Sequence, residues 1–193
     1  MDCNYRYFWL LHIESMVLVM QFNTHRLTCN SLTLADYKNF EAGIEPSWVG
    51  FTNPYKHLVN GPSPLRHRIP RVKNDPGFAE IGLVLAIANG EIVGSAGFHD
   101  YPDENGMIEI GFGIVPEKQR QGYGLELLHG MWREISKRND VKVLRYTVSP
   151  ENEASMHIIK KLGFEQVGEQ IDEEDGLELI FEIPILEYLE KFK

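Results

Sequence analysis

From residue 79 onward, apolar and polar positions alternate regularly enough to predict elements in order. Residues 81–88 are a nearly unbroken apolar run, Asn89-Gly90 follows, and 92–98 resume as a strand. An Asn-Gly pair between two apolar runs signals a hairpin. A second turn over 103–106 leads to a third strand at 107–115. A helix is predicted over 123–138, where Leu125, Leu128, Met131, Trp132 and Ile135 recur at the helical period and make a face that covers a sheet. A strand at 141–148, a helix at 151–162, a hairpin of 165–171 with 177–183 across the acidic turn 172–176, and a short helix from Pro184 complete the pattern.

Before residue 79 the pattern weakens. Residues 25–32 read as a strand, and Thr33 offers an N-cap to a helix over 34–42 with Leu34, Tyr37 and Phe40 on one side. Residues 43–78 hold Pro46, Pro54, Pro62, Pro64, Pro70 and Pro76 and a basic stretch from Arg66 to Lys73. Short helices near 54–60 are expected there within an otherwise irregular excursion, the kind of long segment that often serves function. The run from Tyr5 to Phe22 is apolar but interrupted by His12 and Glu14. It is too broken to span a membrane and lacks a signal-peptide cleavage site. Residues 1–22 therefore read as an atypical N-terminal extension, and 23–193 as a single domain. A start at Met16 or Met20, or an added apolar helix packed on the domain, both stay open.

The chain's 193 residues suit one domain with a sizeable core. A formal net charge of −9 argues against nucleic acid, which needs a basic footprint. The acidic field suits solubility and equally a cationic substrate. Cys3 and Cys29 have neither metal nor redox spacing, so a cytoplasmic setting is the default. His57, His67, His99 and His129 show no metal spacing either, and no metal is expected. His99-Asp100, just before the second turn, is a candidate for the rim of a substrate cleft. Trp48, Tyr55 and Tyr101 are candidates for its lining, with core packing the plainer reading.

The densest chemistry lies in residues 109–124, Glu-Ile-Gly-Phe-Gly-Ile-Val-Pro-Glu-Lys-Gln-Arg-Gln-Gly-Tyr-Gly. A strand enters a turn carrying Lys118 and Arg120, which opens through Gly122 and Gly124 into the long helix. Free backbone N–H groups and the positive end of the helix dipole make such a turn a site for a phosphorylated ligand. A P-loop needs Gly-Lys-Ser/Thr at the helix start, which is missing. A Rossmann fingerprint needs a small residue where Leu127 stands, and a βαβ unit where hairpins are predicted. Strand alternation sets Glu109, Gly111 and Gly113 on one face and Ile110, Phe112 and Ile114 on the other. A carboxylate beside two positions without side chains leaves room for a substrate.

Three separated blocks resemble the GNAT superfamily of acyl-CoA-dependent N-acetyltransferases, and within it the RimJ/RimL-like group. Gln119-Arg120-Gln121-Gly122-Tyr123-Gly124 is similar to its pyrophosphate turn, and Glu109-Ile110-Gly111-Phe112 to the strand before it. Asn152-Glu153-Ala154-Ser155, followed by Lys161-Leu162-Gly163-Phe164, is similar to its late helix. Thr24-His25-Arg26-Leu27 and 32–36 look like its opening strand and helix.

The resemblance implies an α+β fold, with a central mixed, mostly antiparallel sheet of about seven strands flanked by helices. It implies direct acetyl transfer from acetyl-CoA to a primary amine, of a small molecule or of a protein N-terminus, with no nucleic acid, no membrane and no metal; a homodimer is compatible. Backbone groups of Gln121, Gly122, Tyr123, Gly124 and Leu125, with Arg120, would cradle the pyrophosphate. A splayed strand at Phe112, Ile114 and Val115 would receive the pantetheine, and Asn152 is a cofactor contact or a helix cap. Glu109 corresponds to the family's general base, with an amine-orienting or structural role as the alternative. The tyrosine that many members carry four residues before Gly-Phe is replaced by Ile159, leaving Ser155 as the candidate proton donor. Ser155 reads equally as a first-turn residue bonding backbone, and His157 is turned away from its face. A non-catalytic acyl-CoA-binding or sensing module of the same fold is the alternative function.

Overall fold

The structure is a computed structural model that describes residues 20–60, 63–172 and 176–192. Its centre is one sheet of eight strands in the order β1-β2-β3-β4-β5-β6-β8-β7. The strands are β1 Gln21–Asn23, β2 Thr28–Ser31, β3 Val84–Ala88, β4 Glu91–Phe98, β5 Met107–Ile114, β6 Val143–Val148, β7 Glu165–Asp172 and β8 Gly176–Pro184. Every pairing is antiparallel except β5 with β6. The helices are α1 Leu34–Glu41, α2 Leu65–Asn74, α3 Ala79–Gly82, α4 Tyr123–Ile135, α5 Glu153–Leu162 and α6 Ile185–Lys191.

Local chemistry explains most of these elements. Asn89 (φ 52°) and Gly90 (φ 77°) are both left-handed, the geometry that lets a two-residue turn follow the strand twist. Thr33 and Asp36 form a reciprocal capping box at α1. Gly163 closes α5 at φ 69°. Of the expected helix face of α4, Leu128, Met131, Trp132 and Ile135 are at 0% exposure, while Leu125 in the first turn is half-buried.

The sheet has one strand more than expected, and it begins inside the stretch set apart as an extension. Gln21–Asn23 pair with Thr28–Asn30. Phe22 is buried there because Gly130 of α4 has no side chain: a Cβ would lie 2.4 Å from the Phe22 ring. Three residues are too short for alternation to show in sequence. The rest of that extension, 1–19, and the centre of the acidic turn, 173–175, lie outside the described residues.

Residues 54–60 form turns rather than short helices. Lys56 (φ 53°) and Leu58 (φ 65°) are left-handed, and the Asn53 side chain bonds both the N–H and the C=O of His57. The helix lies later, at α2, where Pro64 stands before the first turn and Pro70 sits inside. Its apolar residues Leu65 and Val72 are buried, and its basic ones find distant partners: Arg68 Nε donates to Gly82 O (3.1 Å), Arg71 meets Asp100 (2.8 Å) and Lys73 meets Glu41 (2.7 Å).

The two faces of the sheet separate the site's halves. α4 packs on β1, β4 and β5, and α5 on β6. α3 packs on β2 and β4 from the other side, so close that a Cβ on Gly97 would stand 2.0 Å from Gly82 O.

Candidate active site

β5 and β6 pair only over Met107↔Val143, Ile108↔Leu144 and Glu109↔Arg145 and then diverge. Beyond that point β5 keeps β4 as its neighbour, and β6 keeps β8. The rings of Phe112 and Tyr146, 5.7 Å apart, face each other across the opening on the helix side.

The bonding phase of β5 decides which backbone groups face this opening. His99 N donates to Glu109 O (2.9 Å) and Val115 N to Val93 O (3.0 Å). In an antiparallel ladder the bonding residues alternate. Residues 109, 111, 113 and 115 therefore bond β4, and the N–H and C=O of Phe112 and Ile114 turn toward the gap. Gln119 Nε2 donates to Ile114 O (3.0 Å). Val115, grouped with them on sequence, belongs to the other set: its N–H is bonded and its side chain buried.

The gap widens into a cleft of about 760 Å³ between β5, the glycine turn and the start of α5. It is lined by Phe112, Ile114, Arg120, Gly122, Tyr123, Gly124 and Leu125, and across from them by Asn152 and Ser155. The Gln121 side chain turns from this wall to Glu117 O (3.2 Å), and its carbonyl accepts from Arg26 (2.9 Å), which leaves only its N–H for the turn. Gly122 caps α4 at φ 84° without a side-chain bond, and the first helical bond runs from Glu126 N to Gly122 O. Among the described residues, no protein acceptor receives the N–H groups of Arg120 to Leu125. These donors suit a diphosphate. Gly124 serves packing as well, since a Cβ would sit 2.9 Å from the Phe112 ring.

The turn is braced by residues that the sequence did not place at the site. Glu126 accepts from Thr24 Oγ1 (2.6 Å), from Arg26 N (2.6 Å) and from Arg26 Nε (2.7 Å). Arg26 also lies over the Tyr123 ring, 4.5 Å from its centre. The β1–β2 turn thus clamps the N-terminus of α4. Lys118 lines the cleft, but its ammonium meets Glu91 (3.1 Å) and lies over Tyr55, and these partners hold its pKa above the usual lysine range.

Asn152 caps α5 by accepting from Ser155 N (3.0 Å) while also lining the cleft. Ser155 is buried, and its hydroxyl interacts with the Tyr146 hydroxyl in the sense that lowers that phenol's pKa. Burial pushes that phenol up to about 12, Ser155 acting the other way, so it stays protonated at neutral pH. Tyr146 had no sequence signal beyond its place in a strand. Ile159 points into the core, and Ile158 and His157 line the cleft instead.

Glu109 lies on the opposite face of the sheet, in a pocket of about 370 Å³ shared with His99, Tyr101, Asp103 and Met107. Gly111 and Gly113 follow it on that face, and no described residue lies within 4 Å of a Cβ on Gly113. Ser95, the cross-strand neighbour of Gly113, bonds His57 Nε2 (2.8 Å). Burial drops the His57 pKa from 6.5 to about 4, so the ring is neutral at pH 7. The unfolded chain then binds more protons between those values, and stability should fall as pH drops from 6.5 to about 4. In thermal melts across that window, His57→Gln should show a shallower decline than wild type; equal slopes would contradict it.

Cys29 is buried, and desolvation pushes its thiol up to about 12, which removes it from thiolate chemistry. Cys3 lies outside the described residues. Among the described residues, no group of three or more His, Cys, Asp or Glu is placed to hold a metal, and no helix is long and apolar enough to cross a membrane.

Residues 26–165 match the family described as "Acetyltransferase (GNAT) domain". This chain belongs to the GNAT acetyltransferase family. The GNAT relative YjdG of Bacillus subtilis (strain 168), named an uncharacterized N-acetyltransferase, is 40% identical over 82 residues, 42% of this chain and 49% of that protein. The chain spans about half the length of the curated relatives it matches. Among solved GNAT folds, a chimera of the Vibrio cholerae spermidine N-acetyltransferase SpeG and hSSAT superposes with a TM-score of 0.62 at 14% identity, covering 85% of this chain and 98% of that one. RimL, a ribosomal alpha-N-protein acetyltransferase in its apo form, gives 0.61 at 14% identity over 86% and 95%. At those identities the likeness is one of fold.

Proposed function

We propose that this protein is an N-acetyltransferase that moves the acetyl group of acetyl-CoA directly to a primary amine, of a small molecule or of a protein N-terminus. The observation that carries this reading is a coincidence in one cleft. The N–H groups of Arg120 to Leu125, which have no acceptor among the described residues, open beside the gap-facing edge of β5 at Phe112 and Ile114. The coenzyme, when bound, supplies an acetyl group activated as a thioester. The turn amides, with Arg120, hold its diphosphate. The edge of β5 offers the Phe112 and Ile114 N–H groups as donors to its amides and to a developing oxyanion. Ser155 at the wall, with the buried and protonated Tyr146 beside it, stands as the proton source for a departing thiolate. Glu109 provides the negative charge that an amine meets on the far face of the strand. A cytoplasmic location is part of the same proposal.

Release of free thiol from acetyl-CoA tests the reading directly. The amine panel begins with spermidine and N-terminal peptides, the acceptor types named for SpeG and RimL, and extends to amino acids and aminoglycosides. Thiol release that depends on one amine class is expected. Calorimetric binding of acetyl-CoA without acceptor-dependent release would favour the sensing module, and no binding at all would remove both.

Ser155→Ala and Tyr146→Phe should each lower kcat by about a hundredfold, the lower range for a positioned proton donor, with acetyl-CoA affinity nearly unchanged. The double variant should fall little further, because the two hydroxyls act as one unit. Full multiplication of the two losses would separate them.

A further inference from the structure

We propose that His99 is a catalytic residue of the acetyl transfer: its Nε2 takes the proton from the acceptor amine, and Glu109 is the positioning residue that holds the ring. The proposal rests on the acetyltransferase reading above and assigns the base on its acceptor side.

The two residues are cross-strand partners, His99 N donating to Glu109 O, so both side chains rise from the same face. His99 Nδ1 lies 3.4 Å from Glu109 Oε1. That is ion-pair distance, longer than a tight hydrogen bond, and contacts of this kind shorten when substrate closes the site. A carboxylate at Nδ1 selects the tautomer with the proton on Nδ1 and leaves the lone pair on Nε2. Nε2 is the foremost atom of the ring over β5, 2.8 Å from where a Gly111 Cβ would stand. Any side chain at Gly111 would displace it. One same-face step along the strand, about 7 Å, brings Gly113, where the ground is open. Gly113 lies between Phe112 and Ile114, whose backbone groups face the cofactor cleft. The ring is half exposed, with 49% of its side chain accessible against 19% for Glu109. Of the two, the imidazole is the group an incoming amine meets first.

The surrounding charges keep the ring usable as a base. Desolvation holds His99 below the ordinary histidine range, Glu109 opposes this, and Arg68 and His67 of α2 add to it. Arg68 is placed for that role by its bond to Gly82 O. Asp100, beside His99 in the chain, is engaged by Arg71. The ring is therefore neutral at pH 7 and gains charge only against a carboxylate. The proton balance is complete. An alkylammonium gives one proton to Nε2, which passes it to solvent at the open mouth. The N–C bond then forms as the C–S bond breaks, and the second nitrogen proton offsets the one placed on sulfur.

The test is the pH profile of thiol release by wild type, His99→Gln and Glu109→Gln, with the amine that wild type uses best. In wild type, kcat/KM should rise with pH through one ionisation below the ordinary histidine range. His99→Gln should erase that limb and lower kcat by about a hundredfold, while calorimetry shows unchanged acetyl-CoA binding. Glu109→Gln should keep the limb and move it to lower pH, because the charge that raises the imidazole pKa is gone. A limb that survives in His99→Gln and vanishes in Glu109→Gln would make Glu109 the base and overturn the proposal while leaving acetyl transfer intact. Absence of turnover with every amine in wild type would instead overturn the transferase reading, and this role with it. An independent readout is the ¹⁵N tautomer of His99 in the resting protein: the Nδ1–H form is expected, and an Nε2–H form overturns the assignment.

Discussion

Gly122→Val should weaken acetyl-CoA binding by at least about tenfold in calorimetry while the protein stays folded. Gly122 caps α4 at φ 84°. A left-handed backbone costs an ordinary L-residue about 1–2 kcal/mol, and a β-branched residue tolerates it least. The added Cβ would also stand 3.2 Å from the Arg26 guanidinium, which braces the turn through Glu126 and Gln121 O. Relief of either strain rotates the peptide groups of Arg120 to Leu125 away from a common centre. Since about 1.4 kcal/mol is tenfold in affinity, the backbone cost alone is of the size of the expected loss. Gly113→Ala is the control. Its Cβ meets open space on the opposite face of β5, so acetyl-CoA binding should hold within about twofold while the acceptor KM rises. Unchanged affinity in a folded Gly122→Val would mean that the turn does not grip the coenzyme.

Trp132→Ala should cost about 3–5 kcal/mol, the range for truncating a large buried aromatic. Trp132 is fully buried and touches Phe164 (centroids 5.0 Å) and Tyr188 (5.5 Å), tying α4 to the exit of α5 and to α6. For a chain of this size each kcal/mol is worth about 2–4 °C, so the melting temperature should drop by roughly 6–20 °C. Trp132→Phe should cost much less. The indole Nε1 is buried with no hydrogen-bond partner among the described residues, and removing an unsatisfied donor recovers part of the lost packing. Equal losses from the two substitutions would place the energy in the indole itself rather than in the packed volume.

Where one stretch of chain is enough, sequence and structure agree closely. The Asn89-Gly90 hairpin, the Thr33 cap, the amphipathic face of α4 and the strand–turn–helix around Gly122 are each set by backbone preference or short-range periodicity. Errors gathered where a signal is short or is overridden by distant partners. β1 has three residues. α2 contains a proline and a run of cations, and it is held by Gly82, Asp100 and Glu41 rather than by its own propensity. Val115 follows the right strand in the wrong bonding phase, which depends on register against β4 and so on Val93 and His99.

The candidate site divides along the same line. Glu109, the glycine turn and Asn152-Ser155 could be named from their motifs, because phosphate binding and helix capping are written into adjacent residues. Four arrangements required the folded chain: the divergence of β5 from β6, the hold of Arg26 on Glu126, the pairing of Tyr146 with Ser155, and the setting of His99 above Gly111 beside Glu109. By itself the sequence determined the elements and the phosphate-binding turn, since dihedral preference and apolar period act over a few residues. Only the tertiary structure decided which backbone edges stay open and which side chains share a proton, since register and cross-strand packing join residues far apart in the chain.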